Sequence, residues 1–164
     1  LVETESGFSF ILWGPPGSGK TTLARIAAKL TESKFHEISA VNAGVADIRK
    51  VVQSATEIWK AKGNRTILFL DEIHRFNKSQ QDVLLPDVES GVIALIGATT
   101  QNPFFALTPA LVSRSRIFEL QALLPEDIKT IVQHHGLDVF QLQNGRIHFF
   151  KKVQKVYLKL LFFF

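Results

Sequence analysis

The segment that most constrains this chain lies between residues 8 and 30. A short apolar run at 8–12 leads into Gly14-Pro15-Pro16-Gly17-Ser18-Gly19-Lys20-Thr21-Thr22. Helical periodicity follows at once, with Leu23, Ile26, Ala27 and Leu30 spaced i, i+3, i+4, i+7. Glycines at these spacings let successive backbone N–H groups turn inward around an anion, and the helix N-terminus adds partial positive charge. Lys20 is placed to reach β- and γ-phosphates, and the Thr21 hydroxyl to ligate Mg²⁺. The spacing therefore predicts strand, phosphate-binding loop and helix, with residues 14–22 around ATP.

A second constellation supports the first. Ile67-Leu68-Phe69-Leu70 is a run for a strand buried on both faces, and Asp71-Glu72 emerge at its end. In an open parallel sheet that end is where ligands bind. Asp71 is the candidate Mg²⁺ residue, and Glu72 the group that orients or deprotonates an attacking water. Gly97-Ala98-Thr99-Thr100 follows a further buried run at 92–98, and either threonine suits contact with the water or the γ-phosphate. Ser113-Arg114-Ser115-Arg116 precedes a strand expected at 116–120; these arginines read either as surface charges or as a finger toward a neighbour's nucleotide. Asp71-Glu72-Ile73-His74 also spells the DExH box of two-lobed helicases, for which a chain of 164 residues is too short.

A strand at 36–40 and a helix with Ile48, Val51, Val52, Ala55, Ile58 and Trp59 on one face, stopped by Gly63, complete the alternation. Alternating buried strands and helices predict an α/β fold with a parallel sheet covered on both faces. Pro125, Glu126 and Asp127 open another helix, which Gly136 stops. The longest apolar runs are too short to span a bilayer, so no membrane role is expected. There is no cysteine, which removes disulfides and cysteine-based zinc sites and fits a reducing compartment. The five histidines show no metal spacing. The chain opens at Leu1 almost directly on a strand, and the expectation is an internal piece of a longer protein.

Longer stretches carry a resemblance. They are Ile11–Gly17, residues 38–45 with Asp47-Ile48-Arg49, and the run Asp71-Glu72-Ile73-His74-Arg75-Phe76-Asn77-Lys78-Ser79-Gln80-Gln81-Asp82. Leu84-Leu85-Pro86 and Leu95-Ile96-Gly97-Ala98-Thr99-Thr100-Gln101-Asn102-Pro103 complete them. Together, over about residues 8–132, they resemble AAA+ ATPases of the clamp-loader side, in the replication-associated recombination protein A family, also called the Werner-helicase-interacting protein family. The Holliday-junction branch-migration motor shares the phosphate loop and Gly-Ala-Thr-Thr but not the Arg-Phe-Asn-Lys-x-Gln-Gln-Asp segment. The resemblance implies a three-layer P-loop NTPase core with a five-stranded parallel sheet. It also implies a DNA-dependent, oligomeric ATPase at replication forks, with fork proteins as further partners, in bacterial cytoplasm or a eukaryotic nucleus. It assigns Lys20 and Thr21 to the phosphate-loop pair and Asp71 and Glu72 to Mg²⁺ and water. Thr100 takes the first sensor position, with Thr99 the alternative, and Arg114 takes the finger.

The expected division is an ATPase core at 1–123, the start of a largely missing helical lid at 124–135, and a tail at 136–164. The tail carries five basic residues against one acid, so it alone holds the net charge of +4. The core balances, and the overall basicity says nothing about nucleic acid. Six of the 14 phenylalanines fall in the last 25 residues. Val153, Val156, Tyr157, Leu160, Leu161 and Phe164 share a helical face. A basic amphipathic helix at a membrane or partner, an ordinary packed helix, and an aberrant terminus all fit that composition.

Overall fold

A computed structural model describes residues 9–134 together with two short strands at 142–143 and 146–147. The chain divides into two compact units, Leu1–Gln121 and Ala122–Phe164.

The first unit is built on five parallel strands: β1 (Ser9–Trp13), β2 (Lys34–Ser39), β3 (Thr66–Asp71), β4 (Ile93–Thr99) and β5 (Arg116–Glu119), in the order β2-β3-β4-β1-β5. Helix α1 (Lys20–Leu30) links β1 to β2, and α2 (Val45–Lys62) links β2 to β3. Four short helices, α3 (Lys78–Asp82), α4 (Leu85–Glu89), α5 (Pro103–Ala106) and α6 (Pro109–Ser113), fill the connections around β4. The expected α/β class and five-stranded parallel sheet are present.

The pleat sorts each central strand's apolar run between two cores. Leu68 and Leu70 join Ile11, Ile48, Ala55 and Leu111 on one face. Ile67 and Phe69 join Leu12, Ile96, Ala24 and Ala28 on the other. Residues 67–70 are fully buried, each contributing about 1.5–3 kcal/mol for a side chain of this size.

The helical periodicity after the phosphate loop marks a helix, but its buried face is not the apolar stripe. Ala24 and Ala28 face the sheet, while Leu23, Ile26 and Leu30 are largely exposed. Alanines at these positions let α1 lie close to the strands. On α2, Ile48 and Ala55 are buried as expected, but Trp59 is exposed.

The second unit holds α7 (Pro125–His134), whose first turn carries Glu126 and Asp127; the Leu124 N–H donates to Asp127 Oδ2 at 2.9 Å. It also holds an antiparallel pair, β6 (Leu142–Gln143) and β7 (Arg146–Ile147), that the sequence reading did not name. The expected stop at Gly136 and helical face of Val153 to Phe164 lie outside the described residues. No helix among the described residues is long and apolar enough to cross a membrane.

Candidate nucleotide site

The site forms where β1, β3 and β4 end side by side. Trp13 of β1 pairs with Thr99 of β4, and the Gly14 N–H continues the ladder to the Thr99 carbonyl at 3.1 Å. Gly14 is required by close approach: a Cβ there would lie 2.2 Å from the Leu120 carbonyl oxygen. The loop then turns through Gly17 and Gly19 at φ of 76° and 85°, a region that favours glycine. Pro15, Pro16 and Gly17 are exposed, while Ser18 and Lys20 are buried. Gly19 caps α1, so the loop and the positive end of the helix coincide.

Lys20 folds back across this loop. Its Nζ donates to the carbonyls of Gly14 at 2.9 Å and Pro15 at 2.8 Å, and to Ser18 Oγ at 3.3 Å. Burial holds its pKa below the ordinary lysine value, with the charges of Asp71 and Glu72 opposing. Thr21 and Thr22 are half-buried in the first turn of α1.

Asp71 ends β3 and accepts the Glu72 N–H at 3.0 Å. Burial raises its pKa; the carboxylates of Glu72 and Glu37 add to this, while the Glu72 N–H and Lys20 oppose it. A desolvated carboxylate crowded by the carboxylates of Glu72 and Glu37 is an oxygen ligand whose charge a divalent cation would offset. Asp71, with Thr21 next to Lys20, fits Mg²⁺ on that observation.

Glu72 stands at φ 53°, ψ 40°, a conformation rare for a residue with a side chain. It opens a single 3₁₀ turn, Ile73–Arg75. Ile73, fully buried, seats this turn on β4 at Gly97, where an added Cβ would meet Ile73 Cδ1 at 3.0 Å and Ile11 Cδ1 at 2.8 Å.

The two threonines part company at the end of β4. Thr99 is fully buried and hydrogen-bonded to Gln101 and His74, whereas Thr100 lies one residue beyond the strand with its side chain exposed. Arg114 is not at this site. It caps the end of α6, pairs with Glu89 and donates to the Ala110 carbonyl at 3.1 Å. It precedes Arg116, which pairs with Phe10 near the opposite end of β1.

The sequence reading missed two residues. His74 has both ring nitrogens engaged, toward Thr99 and Glu72. Buried Gln81 receives the Thr108 N–H at 2.8 Å and donates to the Phe76 carbonyl at 2.9 Å, joining α3 to the loop before α6. The only advance signal for either was membership of the long motif that begins at Asp71.

This geometry defines a P-loop nucleotide-binding domain. The profile of the "ATPase family associated with various cellular activities (AAA)" matches residues 10–123, and the chain belongs to that family. Within it, the chain is 53% identical over 131 residues to replication-associated recombination protein A of Escherichia coli K12, covering 80% of this chain and 29% of that protein. It is also 53% identical over 125 residues to the ATPase WRNIP1 of Dictyostelium discoideum, covering 77% of this chain and 14% of that protein. Among solved structures, the Thermotoga maritima RuvB Holliday junction branch migration motor is similar at TM-score 0.61 and 30% identity, covering 82% of this chain and 45% of that one. The chain thus spans under a third of the length of these curated relatives. The resemblance drawn from the motifs is the one these relatives show, and the DExH spelling sits inside an AAA domain.

Proposed function

We propose that this chain binds ATP with Mg²⁺ and hydrolyses it, and that within an oligomer this turnover drives work on DNA, or on proteins bound to it, at replication forks. The observation that carries the reading is the convergence of Lys20, in the helix that follows the loop after β1, with Asp71 and Glu72 at the end of β3, β1 and β3 being the two strands that flank β4. Loop N–H groups and Lys20 bind the phosphates, with the Gly14 and Pro15 carbonyls giving up the lysine. Thr21 and Asp71 would hold Mg²⁺, which would offset charge on the phosphates. Glu72 takes the proton of the attacking water, and exposed Thr100 takes the sensor place facing the γ-phosphate. The higher identity to the recombination protein than to RuvB supports a fork role over a Holliday-junction motor. A DNA partner supports a bacterial cytoplasmic or eukaryotic nuclear location.

The test separates binding from turnover. Glu72→Gln keeps size and removes the basic oxygen, so ATP affinity should persist while hydrolysis falls about 10²–10⁴-fold. Hydrolysis at the wild-type rate would refute the assignment. Forked or gapped DNA should stimulate the wild-type rate; an ATPase rate indifferent to both would remove DNA from the proposal.

A further inference from the structure

The turn after Asp71 carries a buried chain of polar contacts that the phosphate chemistry alone does not require. His74 has only 4% of its side chain exposed. Its Nδ1 lies 3.0 Å from Thr99 Oγ1, and its Nε2 lies 3.2 Å from Glu72 Oε2. That second contact is a close approach of a buried ring nitrogen to a carboxylate oxygen, favourable when Nε2 carries a proton. With the proton on Nε2 alone, Nδ1 accepts from the Thr99 hydroxyl. With both ring nitrogens protonated, Nδ1 donates to Thr99 Oγ1, which donates to the Gln101 carbonyl at 3.3 Å. In either case Thr99 Oγ1 accepts the Gln101 N–H at 3.0 Å. Polar contacts thus run from the end of β4 through His74 to the Glu72 carboxylate.

Glu72 needs such support. Its left-handed backbone costs about 1–3 kcal/mol and persists only where the surroundings over-determine it. Its side chain is 29% exposed, and the approach of His74 is the ion-pair contact that its carboxylate makes among the described residues. One oxygen therefore lies against the buried ring while the side chain keeps access to solvent. A base held by a second group, itself fixed by a third, is the arrangement that keeps proton transfer in line.

We propose that His74 is a positioning residue for hydrolysis: it anchors Glu72 through Nε2, and Thr99 sets the orientation of its ring. The proposal rests on the reading of Glu72 as the base. Thr99 then serves the base from behind while Thr100 serves the nucleotide, so the paired threonines divide two tasks.

The test uses His74→Ala, His74→Gln and His74→Asn in the full chain, with Glu72→Gln as reference, measuring kcat and KM for ATP and thermal stability. The glutamine amide nitrogen takes the place of Nε2, and the asparagine amide that of Nδ1. His74→Ala should lower kcat about 10²-fold, the loss expected when a catalytic group shifts by an ångström, with KM unchanged. Glutamine should restore most of the rate and asparagine should not. Undiminished or increased kcat in His74→Ala, while Glu72→Gln is inactive, overturns the positioning role and leaves the base intact. Normal turnover by Glu72→Gln instead removes the base and this proposal with it. An independent readout needs no turnover: the His74 ring ¹⁵N resonances of the nucleotide-free protein should move on Glu72→Gln and on Thr99→Val. Unmoved resonances would equally overturn the proposal.

Discussion

Lys20 is bonded to the backbone of its own loop, at the carbonyls of Gly14 and Pro15. Phosphate oxygens replace two carbonyl acceptors with charged ones, and each hydrogen bond to a charged group is worth about 1.5–3 kcal/mol. Lys20→Ala should therefore weaken ATP binding at least about 10²-fold in a fluorescent-nucleotide titration, whereas near-wild-type affinity would sink the phosphate-loop assignment. Asp71 makes the complementary case. Its folded pKa is raised, mainly by burial, so between the ordinary aspartate value and the raised one the folded chain binds more protons than the unfolded chain. Stability then falls as pH rises through that window and stays lower above it. Asp71→Asn should accordingly raise the melting temperature of the nucleotide-free protein at neutral pH, by about the 0.5–2 kcal/mol of a single stabilising replacement. The gain should shrink as pH falls through the same window. Any Mg²⁺-dependent stabilisation by ATP should be lost in the same variant; its retention would show that Asp71 holds no metal.

At the scale of elements, Gln81 ties two short helical segments together. The Thr108 N–H and the carbonyl of Phe76 meet its amide, and the Ala106 carbonyl lies 3.3 Å from the same nitrogen. Gln81→Ala leaves these groups without that partner in a buried place, at roughly 1–3 kcal/mol for each group left unsatisfied. Urea unfolding should show a loss in that range, and a loss below it would mean that water replaces the amide freely. These connections also mark where the sequence was hard to read. β3 and β4 are buried along nearly their whole length, so an uninterrupted apolar run gave them away. β2 and β5 lie at the sheet edges with alternating or exposed positions, and their bounds differ from the expected ones by one or two residues. Helices α3 to α6 are four or five residues each, too short to establish a helical period, and none was foreseen. The stripe of Leu23, Ile26 and Leu30 identified α1 but does not mark its buried face, because small residues permit close packing that hydrophobicity does not register. The phosphate loop and the Asp71-Glu72 pair were legible because their chemistry is tied to local spacing. His74 was not, since its meaning depends on Thr99, 25 residues away.

At the scale of the molecule, the question is whose nucleotide Arg114 serves. All five strands are parallel, and Lys20, Asp71 and Thr99 lie at or just beyond their carboxyl ends. Arg114 precedes the amino end of β5, where Arg116 pairs with Phe10, four residues before Gly14. At about 3.3 Å per residue that register alone separates the two ends by about 13 Å. An arginine at that end is badly placed for its own site, and any part it takes in hydrolysis would be at another subunit's. Its contact with Glu89 joins two half-exposed side chains, and such surface pairs are worth about 0–1 kcal/mol, so little opposes its release. A finger arginine in trans contributes on the order of 10³–10⁵ in rate where it has been measured. Arg114→Ala should then remove most hydrolysis with ATP affinity nearly intact, and wild-type activity should rise more steeply than linearly with protein concentration. Mixing gives the sharper result. Arg114→Ala subunits retain Glu72, and Glu72→Gln subunits retain Arg114, so a mixed assembly contains composite sites with both groups intact. Activity should partly return on mixing two inactive variants. If the mixture assembles but stays inactive, Arg114 is a surface charge paired with Glu89, and hydrolysis does not depend on it in trans.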